Sequence, residues 1–131
     1  MKKRALVRNV LLSVLVALLL AGSFIFAQDP KPFLGKWKGS ISIMGTELEI
    51  IVEFSLDDKG NIQGTIDVPQ QGAEDLPLGE IKIEGKKISF MIVAPGVQGD
   101  PTFQGELDES GKKIAGTFSQ MGYEGTFTLE K

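Results

Sequence analysis

From residue 36 onward, apolar and polar residues alternate in short runs, which is the period-two pattern of β-strands with one buried face. No window shows a helical period of any length. Eight runs follow one another: Trp37 to Ile43, Leu48 to Leu56, Ile62 to Val68, Ile81 to Ile83, Ile88 to Ala94, Phe103 to Leu107, Ile114 to Phe118 and Tyr123 to Leu129. Most are joined by short turns that contain glycine, and two by longer connections, at residues 69–78 and 95–101.

Eight strands joined mostly by tight turns predict an all-β fold, an antiparallel up-and-down meander. Because one face of every strand is apolar, the meander has to bury that face within itself. We expect it to close into a small barrel, which also removes exposed strand edges. A β-sandwich is the alternative.

The first 27 residues have a different pattern. Four basic residues and no acid lie within Met1 to Arg8, an apolar stretch follows from Val10 to Phe26, and Ala27 ends it. This pattern is typical of a secretory signal peptide, so we expect a secreted or periplasmic protein. An uncleaved membrane anchor is the alternative, since the stretch is close to the length that spans a bilayer. Residues 28–32 then form a linker, and residues 33–131 a single barrel domain.

The composition narrows the range of possible functions. The whole chain carries 14 Lys and Arg against 17 Asp and Glu, but the four basic residues of the leader hide a more acidic remainder, with 10 lysines against the same 17 acids. A surface with a net charge of −7 repels phosphate backbones, so nucleic-acid binding is excluded. The chain has no cysteine and no histidine. We therefore expect no enzyme, no metal site and no cofactor.

One short unit, an apolar residue, any residue, glycine, any residue and a second apolar residue, recurs five times. In each copy the alternation places the glycine on the inward face. The five glycines are Gly39, Gly64, Gly105, Gly116 and Gly125. Glycine weakens a strand interior, so its repeated use there indicates bending of the strands, close approach of a facing ring, or space left for a ligand.

The candidate site residues form two groups. Aromatic residues are expected in the core, or in the wall of a pocket if the barrel is hollow: Trp37, Phe54, Phe90, Phe103, Phe118, Tyr123 and Phe127. Polar residues near strand ends are expected either to fix the backbone of a loop or to line the barrel mouth: Asp67, Gln70, Gln71 and Gln120.

Three further features give weaker evidence of a functional site. The run Asp57 to Asn61 lacks the acid spacing of a calcium loop and predicts a hairpin turn. Asp108 and Glu109 lie beside two lysines and predict a solvated turn rather than a glycosidase pair. Ile51, Met91, Val93 and Met121 fall on the outward face. The first three would form a docking patch if their strands were neighbours.

Two resemblances add to this picture. The segment Phe33-Leu34-Gly35-Lys36-Trp37 resembles the start of calycin barrels, the lipocalins and fatty-acid-binding proteins, which implies a calycin-like barrel. In lipocalins a basic residue of the last strand typically packs on that tryptophan. This chain has no arginine after Arg8, so we expect that contact to be missing.

The second resemblance spans nearly the whole barrel domain. Trp37-x-Gly39, the run Asp67 to Gly72, Leu76-Pro77-Leu78, Phe103-x-Gly105-x-Leu107 and the run Gly116 to Gln120 follow in order. This series is similar to the small β-domain that precedes the catalytic domain in many secreted bacterial α/β-hydrolases and β-lactamase-like serine hydrolases. The resemblance implies an accessory or binding module without catalytic chemistry of its own.

Two functions are expected from these observations. The first is a module that holds a small apolar ligand inside the barrel, for which the inward glycines would leave room. The second is an interaction module that docks on a secreted hydrolase or a cell-envelope component. Either function would involve a membrane only if the N-terminal segment is not cleaved and serves as an anchor.

Overall fold

A computed structural model describes residues 29–131. The predicted signal peptide, and the alternative anchor, lie outside the described residues. Within residues 29–131 no helix is long and apolar enough to cross a membrane. The strands are β1 (Gly35–Ile43), β2 (Thr46–Leu56), β3 (Ile62–Val68), β4 (Ala73–Glu84), β5 (Lys87–Ile92), β6 (Thr102–Leu107), β7 (Lys113–Gln120) and β8 (Tyr123–Glu130).

Each strand pairs antiparallel with the next along the chain, and β8 pairs with β1, which closes the sheet into a barrel. The closing register places Gly39 opposite Leu129 and Ser42 opposite Thr126. The predicted eight-stranded antiparallel barrel is therefore confirmed, and the sandwich alternative is not formed. The alternating pattern accounts for this fold. In β2, for example, Ile50, Val52 and Phe54 face inward and are buried, whereas Glu49, Glu53 and Ser55 on the other face are exposed.

The two ends of the barrel differ. One, which we name the turn end, holds the start of β1 and three short connections, at residues 57–61, 85–86 and 108–112. A 3-10 turn, Lys31–Phe33, lies there and overlaps the last two residues of the predicted linker. The other end, which we name the loop end, holds the connections at residues 44–45, 69–72, 93–101 and 121–122.

Strand β4 starts earlier than the pattern predicts, because Ala73 to Leu78 belong to the strand and not to a long connection. The register shifts by one residue between Ile66 and Val68 of β3 and again between Gly79 and Lys82. Each shift is a bulge, and each bulge has an acidic residue in the left-handed region, Asp75 (φ 52°) and Glu80 (φ 51°). Two bulges interrupt the period of two, which explains why alternation alone does not reveal this part of the strand.

Candidate functional site

The barrel interior is the first candidate site, and aromatic rings in mutual contact lie at its centre. Phe90 and Phe103 stack with ring centroids 4.7 Å apart, and Phe118 and Phe127 approach Phe103 to 4.8 Å and 5.1 Å. Phe54 meets the edge of Phe90 at 5.4 Å. All five rings are buried and belong to one continuous apolar core. These separations are those of rings in direct contact, so the rings leave no room for a ligand between them.

The inward glycines are the second test of the interior, because they are the feature that favours a cavity. A Cβ atom on Gly105 would lie 2.7 Å from Cζ of Phe127 and 2.8 Å from Cγ2 of Ile114. A Cβ atom on Gly64 would lie 2.9 Å from Cδ1 of Phe54. Rings and methyl groups therefore occupy the space beside these two glycines.

At the other three positions the neighbour is backbone. A Cβ atom would lie 1.8 Å from the Thr128 carbonyl oxygen at Gly39, 1.9 Å from that of Gln104 at Gly116, and 2.1 Å from that of Ser42 at Gly125. These strands approach one another so closely that no side chain fits, as tight coiling of a small barrel requires. The five glycines thus serve close packing.

Trp37 and Tyr123 behave differently from the other aromatic candidates. Trp37 is fully buried, and its indole N–H donates to the Phe33 carbonyl oxygen at 2.9 Å, near the turn end. Tyr123 is 54% exposed, so the prediction that it lies in the core is wrong. It has the same inward parity as Gly125 and Phe127, but it is the first residue of β8 and lies beyond Thr126, where the pairing of β8 with β1 ends.

The polar candidates all lie at the loop end, where three of the four contact different stretches of backbone. The Asp67 carboxylate accepts from the Asp75 N–H at 2.7 Å, and Gln70 Oε1 accepts from the Glu49 N–H at 2.6 Å. Gln120 Nε2 donates to the Gln98 carbonyl oxygen at 2.9 Å. Gln71 is exposed. Gln70 and Gln120 thus join loops to strands, and Asp67 joins β3 to the first bulge of β4. Their hydrogen-bond partners are all different, so these hydrogen bonds do not bring the three side chains together into one site.

The outer wall carries an open groove of about 480 Å³ across β4 to β7. Its lining includes the small residues Gly105, Ala115 and Gly116 and polar side chains such as Lys82 and Glu106. Among residues 29–131 no group of acidic side chains is arranged to hold a metal ion. The predicted outward patch is not formed, because Ile51 lies on β2 and Met91 on β5, with β3 and β4 between them.

The loop end carries exposed apolar residues, of which the alternation predicts Val93 and Met121 as outward-facing but not Met44 or Tyr123. Met44, Met121, Tyr123 and Val93 are exposed there, whereas Leu56 is exposed at the turn end. The sequence signal is a Met-Gly pair in each of two tight hairpins, at positions where Asn-Gly or Asp-Gly is usual.

Comparison of the chain with protein-family models, with curated proteins and with solved structures finds no match.

Proposed function

We propose that this chain is an exported, non-catalytic β-barrel module that binds another protein through its outer surface. The filled interior is the observation that carries the proposal. Carriage of an apolar ligand requires empty apolar volume, whereas the rings of Phe54, Phe90, Phe103 and Phe127 contact one another and side chains or backbone occupy the space beside the inward glycines.

Two other observations support the same function. Large apolar side chains are exposed at the loop end, where they are available to a partner protein. The chain also has no histidine or cysteine for acid–base or nucleophilic chemistry. Export follows from the signal-peptide pattern, and it predicts a mature chain that begins at Gln28. The resemblance to the accessory domain of secreted hydrolases implies the same class of function.

An NMR titration with dodecanoate, a simple apolar ligand, tests the proposal. The ring signals of Phe90 and Phe103 report on the interior, and the signal of Tyr123 reports on the outside. We expect the interior ring signals to stay unchanged up to millimolar dodecanoate. Saturable shifts of the Phe90 and Phe103 rings, at a ratio of one ligand per chain, would overturn the proposal.

A further inference from the structure

Charge is divided unequally between the two halves of the barrel. When each strand is split at its middle residue, the loop-end half consists of residues 40–50, 66–78, 90–104 and 117–126. This half has seven acidic residues: Glu47, Glu49, Asp67, Glu74, Asp75, Asp100 and Glu124. It has no basic residue, because all ten lysines of residues 29–131 lie in the turn-end half together with the other ten acids. The net charge of −7 therefore lies entirely at the loop end.

Three of the exposed apolar side chains at this end belong to neighbouring strands or to the turns that join them. Met44 lies in the β1–β2 turn, and Met121 lies in the β7–β8 turn, two residues before Tyr123. Strands β7, β8 and β1 are consecutive in the barrel. Met44 is 70%, Met121 64% and Tyr123 54% exposed. We name these three residues the rim cluster.

The backbone at both methionines is unfavourable for the residue that is present. Met44 and Met121 each have φ 53°, in the left-handed region, which costs a residue with a Cβ about 1 kcal/mol. Asparagine, aspartate or glycine would adopt this conformation at lower cost. Two turns at one end thus place a large flexible apolar side chain in water at a position that disfavours it. Met121 has a local contact as well, since its Cγ lies against Gly99 and its N–H donates to the Gly99 carbonyl oxygen at 3.2 Å. The large exposed area that both methionines keep suits an adaptable binding surface.

We propose that the loop end, centred on the rim cluster, docks a cationic amphipathic polypeptide, that is, a partner segment whose apolar side chains are flanked by lysine or arginine. This inference rests on the proposed function and names its surface and partner class. Apolar partner side chains would cover Met44, Met121 and Tyr123, and the basic groups would face acids such as Glu47 and Glu124. Charge complementarity of this kind sets partner choice and association rate. The same charge repels anionic membrane surfaces.

Fluorescence anisotropy with three labelled synthetic peptides of equal length tests the proposal. The first alternates leucine and lysine to form an amphipathic helix, the second has glutamate in place of lysine, and the third has serine in place of leucine. We expect the Leu/Lys peptide to bind and both others to bind at least about tenfold more weakly, because apolar and charged contacts are both needed. Raising the salt from 0.05 M to 0.5 M should weaken binding about tenfold, since screening shortens the range of these charges.

Matched variants of the protein locate the surface. Met44→Asn combined with Met121→Asn, and separately Glu47→Gln combined with Glu124→Gln, should each weaken the Leu/Lys peptide about tenfold. Leu56→Asn, and Glu84→Gln combined with Glu109→Gln, make the same kinds of change in the turn-end half and should leave binding within about twofold. The thermal midpoint of each variant shows that it is folded.

Three results would overturn the inference: no binding of the Leu/Lys peptide, equal binding of the glutamate peptide, or equal losses from turn-end and loop-end variants. Co-sedimentation of the protein with phosphatidylglycerol vesicles that depends on Met44 and Met121 would also overturn it, in favour of a membrane. Any of these results would still be compatible with the proposed function, because the partner could dock on another face of the barrel. Failure of the proposed function itself would appear instead in the dodecanoate titration, as a ligand bound among the interior rings.

Discussion

The ammonium group of Lys131 lies 4.9 Å from the centroid of the Trp37 ring, next to the point where β8 ends and β1 begins. Because the chain has no arginine after Arg8, the sequence predicts that no basic residue packs on Trp37. That prediction is wrong, because Lys131 occupies the position. The indole N–H of Trp37 donates to the Phe33 carbonyl oxygen. Trp37 therefore contacts residues at both ends of the barrel domain, Phe33 and Lys131.

Replacing Lys131 by methionine should lower the free energy of unfolding by about 0.5–1 kcal/mol, because the cation–π contact is lost while most of the apolar stem is kept. Lys131→Arg should retain the stability. Trp37 is the only tryptophan, so its fluorescence during urea unfolding reports the difference directly. Equal stability of the methionine variant and the unmodified protein would show that the contact contributes nothing.

Alanine substitutions at the inward glycines test whether close packing or open space explains them. Gly116→Ala should destabilise the protein by about 3 kcal/mol or more, because the new Cβ would lie 1.9 Å from a backbone oxygen. Gly64→Ala should cost about 1–2 kcal/mol, because the Phe54 and Leu78 side chains beside it are able to shift. Urea unfolding measures both values.

The control for these variants is Thr117→Ala, on the exposed face of the same strand as Gly116, which should cost less than about 1 kcal/mol. Glycines that bordered an empty cavity would accept alanine without loss, or with a gain of about 0.4–1 kcal/mol from reduced freedom of the unfolded chain. Such a gain at Gly105 or Gly116 would contradict the filled interior.

The turn methionines should be poor choices for stability. Met44→Asn should raise the free energy of unfolding by about 0.5–1 kcal/mol, because asparagine is favoured at φ 53°. Met121→Asn should gain less, because it also removes the contact of Met121 Cγ with Gly99. Thermal unfolding measures this gain. A loss of stability in both variants would mean that the methionines have a structural role, and it would remove one argument for the rim cluster as a binding surface.

Asp108 provides a prediction about pH. The Ser110 hydroxyl donates to its carboxylate at 2.6 Å and, with nearby backbone N–H groups, holds the pKa of Asp108 below its ordinary value. A lowered pKa in the folded state means that the stabilisation is complete above the unfolded-state pKa of about 3.9 and is lost as the pH falls through the lower folded-state pKa. Carboxyl NMR should show the pKa of Asp108 rising toward its ordinary value in Ser110→Ala.

The Asp67 carboxylate should hold the first bulge of β4. Asp67→Ala removes the acceptor of the Asp75 N–H and should cost about 1 kcal/mol, with faster hydrogen exchange at the Asp75 amide. Asp67→Asn keeps an oxygen acceptor and is the matched control. Unchanged exchange in the alanine variant would show that backbone pairing alone maintains the bulge.

The barrel itself was predictable because alternation in seven of the eight strands reports directly which face is buried. The first half of β4 was not, because the bulges at Asp75 and Glu80 break the period of two. Tyr123 has inward parity but lies beyond the point where the pairing of β8 with β1 ends, and a one-dimensional pattern does not contain that information. The charge division between the barrel ends was equally hidden, since it appears only when the strand order shows which residues share an end.

Native mass spectrometry of the protein, extracted gently from the envelope fraction of its own host, tests the central claim most directly. A solid barrel that binds a partner through its outer surface predicts a complex with a second polypeptide, and a bare chain mass once that complex is dissociated. A small added mass that remains with the isolated chain and disappears only on organic extraction would contradict the account, because it would place a ligand inside the barrel.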